Sequence, residues 1–179
     1  MLLAVVAIVV LTGAGLYVNR PYSTRLGAFV TDLSARTQPQ RNNIQMVQER
    51  VTDKTLQSGE TFSLNTTAGP YEQSNGFLAE RSYLNRQITN TFGGGVCQFA
   101  STLYNAALLA HLPIVERFPH SLPVSSVPEG WDATVAYGVA DLKFKNPYPF
   151  PIRIISRIAQ DQLRIEIWGK EPSHEQPRM

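Results

Sequence analysis

The hydrophobic pattern divides the chain into three regimes. Met1 to Val18, MLLAVVAIVVLTGAGLYV, carries no charged side chain. As a helix it would reach about 27 Å, close to the roughly 30 Å of a bilayer's hydrocarbon core. A cleaved signal peptide or a buried helix would also read this way. No Lys or Arg precedes the run and TGAG is a poor cleavage site, so an uncleaved N-terminal transmembrane anchor is favoured, with the remainder exported. The second regime has helical period. In QRNNIQMVQERVTDKTL, Ile44, Val47 and Val51 recur at spacings of three and four, with Asn42 or Asn43 as N-cap. A second helix is predicted from Cys97 to about Leu112, with Ala100, Leu103, Ala107 and Ala110 on one face. Between them, SGETFSLN reads as a turn and short strand, AGPYEQSNGF as loop, and FLAERSYLNRQIT fits strand or helix.

Beyond Pro113 the period drops to two. IVERF, ATVAY, LKFKN, IRIIS and LRIEIW read as antiparallel strands buried on one side, separated by turns at VPEGWD, NPYPFP and AQDQ. Helices first and strands later predict an α+β class, a mixed helix and antiparallel-sheet domain. The expected organisation is an anchor over residues 1–19, a polar linker over 20–40 with at most one short strand (GAFVTDL), one domain over 41–169 and a disordered tail over 170–179.

Composition changes this picture little. The 179 residues are 43% hydrophobic and 17% charged, with a formal net charge of +2, an ordinary globular balance. No basic run or basic helix is present, so no nucleic-acid partner is expected. H-E-x-x-H, C-x-x-C and P-loop patterns are absent, and GGG alone is no dinucleotide fingerprint, so neither metal nor cofactor is expected.

Cysteine usage matters more. Exported proteins that use cysteine for stability use it in pairs. Cys97 is the only one, so it is a buried small hydrophobe or a reactive thiol. It follows Gly93, Gly94 and Gly95 and opens the second predicted helix. Amides at a helix N-terminus carry partial positive charge, which would favour thiolate and could hold an oxyanion. A general base would be needed. His174 falls in the tail. His111 ends the same helix, about 20 Å from Cys97 along its axis. His120, between two prolines in ERFPHSLPV, is the candidate, although a surface-loop histidine would look the same. Asp132, in GWDATV, could orient His120 or be a turn residue.

These residues place the chain beside a known family. RNNI (41–44), SGETFSLN (58–65), GGGVCQFASTLYNAALLA (93–110), VERFPHS (115–121), PEGWDATV (128–135) and DLKFKNPYPFPI (141–152) occur in the order seen in the VanW family, which the chain resembles over roughly residues 41–169. The family usually has Pro-Gly-Glu where Ser58-Gly59-Glu60 stands here. The resemblance implies an envelope location, a link to peptidoglycan, and relatives in vancomycin (glycopeptide) resistance clusters. Some VanW-domain proteins look like cysteine L,D-transpeptidases, which form 3-3 cross-links between stem peptides. YkuD-type L,D-transpeptidases also place Gly before the catalytic Cys, but their histidine precedes it, whereas His120 follows Cys97.

The resulting expectation is a single-pass cell-membrane protein with an extracytoplasmic domain. Its Cys97 would attack a peptidoglycan stem peptide, His120 would move the proton and Asp132 would orient the histidine. Amides from Gly95 to Gln98 would form the oxyanion hole. Gly94, Gly95, Gln98, Ser101 and Tyr104 would contact substrate, with Gln98 most exposed to it. The other reading is a non-catalytic envelope module that binds peptidoglycan or a partner protein.

Overall fold

The computed structural model describes residues 22–84 and 87–170. The chain begins with strand β1 (Thr24–Asp32) and helix α1 (Gln38–Val51), followed by the short strands β2 (Thr55–Leu56) and β3 (Thr61–Ser63) and the one-turn helix α2 (Leu64–Ala68). A hairpin of β4 (Ala79–Leu84) and β5 (Gln87–Phe92) leads into helix α3 (Val96–Leu109). Strands β6 (Ile114–Glu116), β7 (Lys143–Lys145), β8 (Ile152–Ala159) and β9 (Gln162–Gly169) complete it. The α+β expectation of a mixed helix and antiparallel-sheet domain is met. The main sheet runs β1-β9-β8-β2, a smaller one β3-β7-β6, and β4-β5 stands apart.

Both long helices lie against the main sheet, α3 on β1 and β9 and α1 on β8, and they touch each other. Alternation builds the sheet's inner face: Ile152 and Ile154 on β8, and Leu163, Ile165 and Ile167 on β9, are fully buried. Helical spacing builds the opposing layer from Ile44, Val47 and Val51 of α1 and from Phe99, Leu103, Ala106 and Ala107 of α3 with its C-cap Ala110. The alanine face lets α3 approach the sheet closely.

Several expectations need correction. The segment 20–40 is more than a linker: the short strand expected at GAFVTDL is part of β1, which pairs with β9 from Thr24↔Gly169 to Asp32↔Gln162 and forms an edge of the main sheet. Its buried positions are Gly27 and Thr31, which give no apolar alternation to read. Helix α1 starts before Asn42. Thr37 is the N-cap and forms a capping box with Gln40, while Asn43 is buried inside the helix. FLAERSYLNRQIT resolves into β4 and part of β5. ATVAY forms no regular strand; Phe118↔Thr134 and Ala136↔Ala140 are isolated bridges, because side chains of α3 take up its backbone groups instead. Among the described residues no helix is long and apolar enough to cross a membrane. The expected anchor over 1–19 lies outside them, as do residues 171–179 of the tail, with His174.

Candidate active site

The glycine run ends in a tight entry to α3. Gly95 is the N-cap with φ 97°, a left-handed conformation that side chains disfavour, and a Cβ there would lie 2.9 Å from Gln40 O. Gly93 has φ 81°, and a Cβ there would lie 2.8 Å from Tyr71 Cβ. Asn43 fastens the turn from beneath: its amide donates to Gly94 O at 2.9 Å and Leu78 O at 3.0 Å, and its oxygen accepts from Leu78 N at 2.8 Å. The RNNI motif therefore holds the glycine turn that delivers Cys97 to the second position of α3.

One stripe of α3 then organises the segment 131–135. Cys97 Sγ donates to Val135 O at 3.6 Å, Ser101 Oγ accepts from Ala133 N at 2.9 Å, and Asn105 Nδ2 donates to Trp131 O at 2.7 Å. Four helical residues rise about 6 Å and two extended residues span about 6.6 Å, so a stripe at i, i+4, i+8 matches alternate residues of an extended chain. The opposite edge of the segment meets the turn before His120. Arg117 Nε donates to Asp132 O at 2.7 Å and Thr134 N donates to Phe118 O at 2.7 Å. Asp132 is thereby clamped between the two walls, 7% exposed. Its carboxylate lies 2.7 Å from His120 Nδ1, accepts the His120 amide at 2.5 Å, and pairs with Arg117 at 3.0 Å. Arg117 also lies over the Tyr104 ring, 5.2 Å from its centroid.

Cys97 and His120 line one cavity of about 350 Å³, together with Arg36, Gly95, Gln98 and Ser125. Cys97 and His120 thus share this lining, and the Asp132 carboxylate backs the imidazole of His120, whose side chain is 3% exposed. Electrostatics set their resting states. Burial alone would raise the Asp132 pKa, but the hydrogen bonds from the His120 amide and ring, and the charge of Arg117, hold it below the usual carboxylate range. Cys97 goes the other way. Burial pushes its thiol up, and the Asp132 charge adds to this. That direction is the opposite of the one expected from the helix N-terminus alone.

The other residues expected at the site divide by place. Gly95 and Gln98 line the cavity; Gly94, Ser101 and Tyr104 lie outside its lining. Gln98 is only 5% exposed, and its amide is committed: Nε2 to Asp32 O at 2.8 Å and Thr31 Oγ1 at 3.1 Å, Oε1 to Arg36 Nε at 2.5 Å. Ser101 is buried and donates to Cys97 O at 2.8 Å, so it supports the stripe. Of the amides expected to hold an oxyanion, Val96 N bonds Gly93 O at 3.0 Å and Gln98 N bonds Gly95 O at 2.9 Å. The Gly95 and Cys97 amides have no such bond among the described residues. His111 lies just past α3, exposed and left-handed at φ 52°, outside the cavity lining. No group of acidic, His and Cys side chains that could hold a metal occurs among the described residues. Sequence reasoning misses Arg36 and Ser125, which have no local motif. Arg117 is legible only as part of VERFPHS.

Comparison with known proteins bears on the family. The model of the family described as VanW like protein matches residues 39–168. The chain is 35% identical over 147 residues to the uncharacterized protein YoaR of Bacillus subtilis (strain 168), covering 82% of this chain and 48% of that one. It is 28% identical over 109 residues to the vancomycin B-type resistance protein VanW of Enterococcus faecalis (strain ATCC 700802 / V583), covering 58% and 40%. The chain thus spans about half the length, or less, of these curated relatives. No solved structure matches. The family match extends over the glycine turn, α3, the His120 loop and all the strands after it, and on this ground the chain belongs to the VanW family.

Proposed function

We propose that this chain is a cysteine acyl transferase of the L,D-transpeptidase type acting on peptidoglycan stem peptides. The observation that carries the reading is that Cys97 and His120 line one cavity, with the His120 Nδ1 held 2.7 Å from a buried carboxylate. His120 takes the Cys97 proton through Nε2 as sulfur attacks the scissile amide carbon, and Asp132 steadies the imidazolium. The oxyanion develops toward the Gly95 and Cys97 amides at the start of α3. The C–N bond breaks as His120 returns the proton to the leaving amine, giving a thioester. An amine of a second stem peptide then attacks the thioester carbon while His120 takes its proton. The C–S bond breaks, the imidazolium reprotonates sulfur, and the product is a new cross-link. Water in place of the amine would make the same site a carboxypeptidase.

The resistance name of the enterococcal relative supports a cell-wall substrate. The apolar run Met1 to Val18 supports a membrane anchor with the domain outside, and protease added to intact spheroplasts should then degrade the domain. Cys97→Ser in the intact chain tests the chemistry. The change is close in size but removes the accessible thiolate, so the acyl-enzyme mass adduct and 3-3 product should both disappear while the folded state persists. Wild-type product formation by that variant would leave a binding module as the reading.

A further inference from the structure

Arg36 sits in the loop between β1 and α1, just before the Thr37 N-cap, and its side chain enters the cavity that holds Cys97. Its backbone is fixed by a turn in which Arg36 N donates to Leu33 O at 2.9 Å. The guanidinium is fixed too. Nε donates to Gln98 Oε1 at 2.5 Å and Nη2 to Ser125 Oγ at 3.4 Å. Gln98 is next to the nucleophile in sequence and pinned by its own two donor bonds to β1. One buried amide therefore sets the guanidinium's orientation relative to the sulfur. Ser125 belongs to the loop that also carries His120, so Arg36 bridges the two walls of the site.

The charge pattern gives this placement a chemical meaning. Among the described residues, the cavity lining contains Arg36 and no Asp or Glu. Asp132, behind the imidazole, is engaged by His120 and Arg117. An Arg whose plane is fixed beside a hydroxyl is suited to a carboxylate, which it binds through paired, charge-assisted hydrogen bonds. A neutral peptide segment would gain little from it. In the reaction proposed above, the leaving group is a terminal amino acid whose free carboxylate lies one carbon from the scissile nitrogen. That anion must sit close to the sulfur when the amide does.

We infer that Arg36 binds the free terminal carboxylate of the acyl-donor stem peptide, so that the cavity selects chain-terminal amides over internal ones. The substrate identity rests on the acyl-transfer reading; the binding readout does not. The test uses the intact chain with Cys97→Ala, titrated calorimetrically with a synthetic stem tetrapeptide bearing a free terminal carboxylate and with the same peptide as its terminal amide. The acid should bind about 10- to 100-fold more tightly, the scale of a hydrogen-bonded charge pair. Adding Arg36→Gln should collapse that ratio to near unity, and continued binding of the amide, with an unshifted thermal transition, shows that the variant is folded. A ratio that survives Arg36→Gln, equal binding of acid and amide, or no binding of either overturns the inference. With Cys97 intact, Arg36→Gln should raise KM for the acid more than it lowers kcat. Arg36-dependent preference without turnover would remove the acyl-transfer reading and keep Arg36 as a carboxylate reader. Turnover without Arg36-dependent preference would do the reverse.

Discussion

Two aspartates in this molecule share a residue type and a degree of burial but keep different company. Asp141, 5% exposed, accepts from Asn65 N at 2.9 Å, Leu142 N at 2.8 Å and Ser63 Oγ at 2.6 Å. Its donors are the backbone and cap of α2 and its own chain neighbour, so it ties the start of α2 to the segment entering β7. Asp132, 7% exposed, accepts from an imidazole and a guanidinium, and that imidazole lines the same cavity as a thiol. Burial of a carboxylate therefore does not mark the site. A carboxylate clamped from behind, whose partner can carry a proton to a nucleophile, does. Lys143, 3.8 Å from Asp141 and 2.7 Å from Glu116, adds a second, purely ionic, neighbour to the first group and no proton shuttle.

The sharpest way to break this comparison is to neutralise each carboxylate in turn. Asp132→Asn should lower the rate of acyl-enzyme formation by about 10³- to 10⁴-fold, since the amide would favour the wrong imidazole tautomer, the effect known for the analogous serine triad. Asp141→Asn should leave the rate per folded molecule near wild type and cost about 1–3 kcal/mol of stability, because an amide mispairs with donors that now face a carboxylate. Rates measured by mass-detected thioester formation, alongside denaturant unfolding, separate the two. Equal rate losses in both variants would dissolve the distinction.

A smaller but more specific effect is expected at the imidazole. His120→Ala should slow turnover by roughly 100-fold or more, the scale of a general acid–base group. His111→Ala should not, since that ring lies at the far end of α3 and outside the cavity lining. Steady-state cross-linking assays of both variants make the comparison. Near-normal turnover in His120→Ala would detach Asp132 from catalysis and reduce it to a structural carboxylate like Asp141.

How much of this arrangement is legible in the sequence depends on whether a residue's role is local. Cys97 at a glycine-led helix start is legible, because the turn, the helix and the cysteine are contiguous. His120 emerges by elimination among three histidines, and Asp132 by its proximity in sequence; neither pattern shows that α3 holds residues 131–135 by a stripe of side chains. The helix face carrying Ala100, Leu103, Ala107 and Ala110 is visible because its partner is a generic apolar sheet. Strand β1 is legible only as the short strand GAFVTDL; its place at the edge of the main sheet is not, since its inward positions, Gly27 and Thr31, pack by small size and by a Thr31–Thr102 hydroxyl contact at 2.8 Å. With that place hidden, Arg36 is hidden too, because the strand's end delivers it to the cavity. The upward pull of burial on the thiol escapes the sequence for a related reason: helix position is written in the local residues, but desolvation is produced by residues remote from it.

That upward pull gives the next measurement. Because burial holds the Cys97 pKa above its ordinary value, alkylation by iodoacetamide should be slower near neutral pH than for a free thiol of pKa about 8.5, and should keep rising with pH beyond that value. Rates followed by mass shift across the alkaline range give the profile. A plateau reached below about pH 8 would mean a preformed thiolate–imidazolium pair, and Asp132 would then stabilise a standing charge in place of a transient one.

The smallest expected effect tests the electrostatics of Asp132 itself. Its pKa in the folded chain lies below the ordinary carboxylate value of about 3.9. A depressed folded pKa contributes stability that is fully present above the unfolded value and is lost as pH falls through the folded one, because the unfolded chain takes up the proton first. The contribution at neutral pH should therefore persist to about pH 5 and decline below about pH 4. Asp132→Asn cannot titrate there. The difference in unfolding free energy between wild type and Asp132→Asn should consequently be constant near neutrality and shrink as the solution is acidified, with wild type converging on the variant. Urea melts of both proteins at several pH values from about 7 to 3 measure it. A gap that stays constant through the acid range would mean that His120 and Arg117 do not favour the ionised carboxylate, and the clamp that distinguishes Asp132 from a packing residue would lose its electrostatic basis.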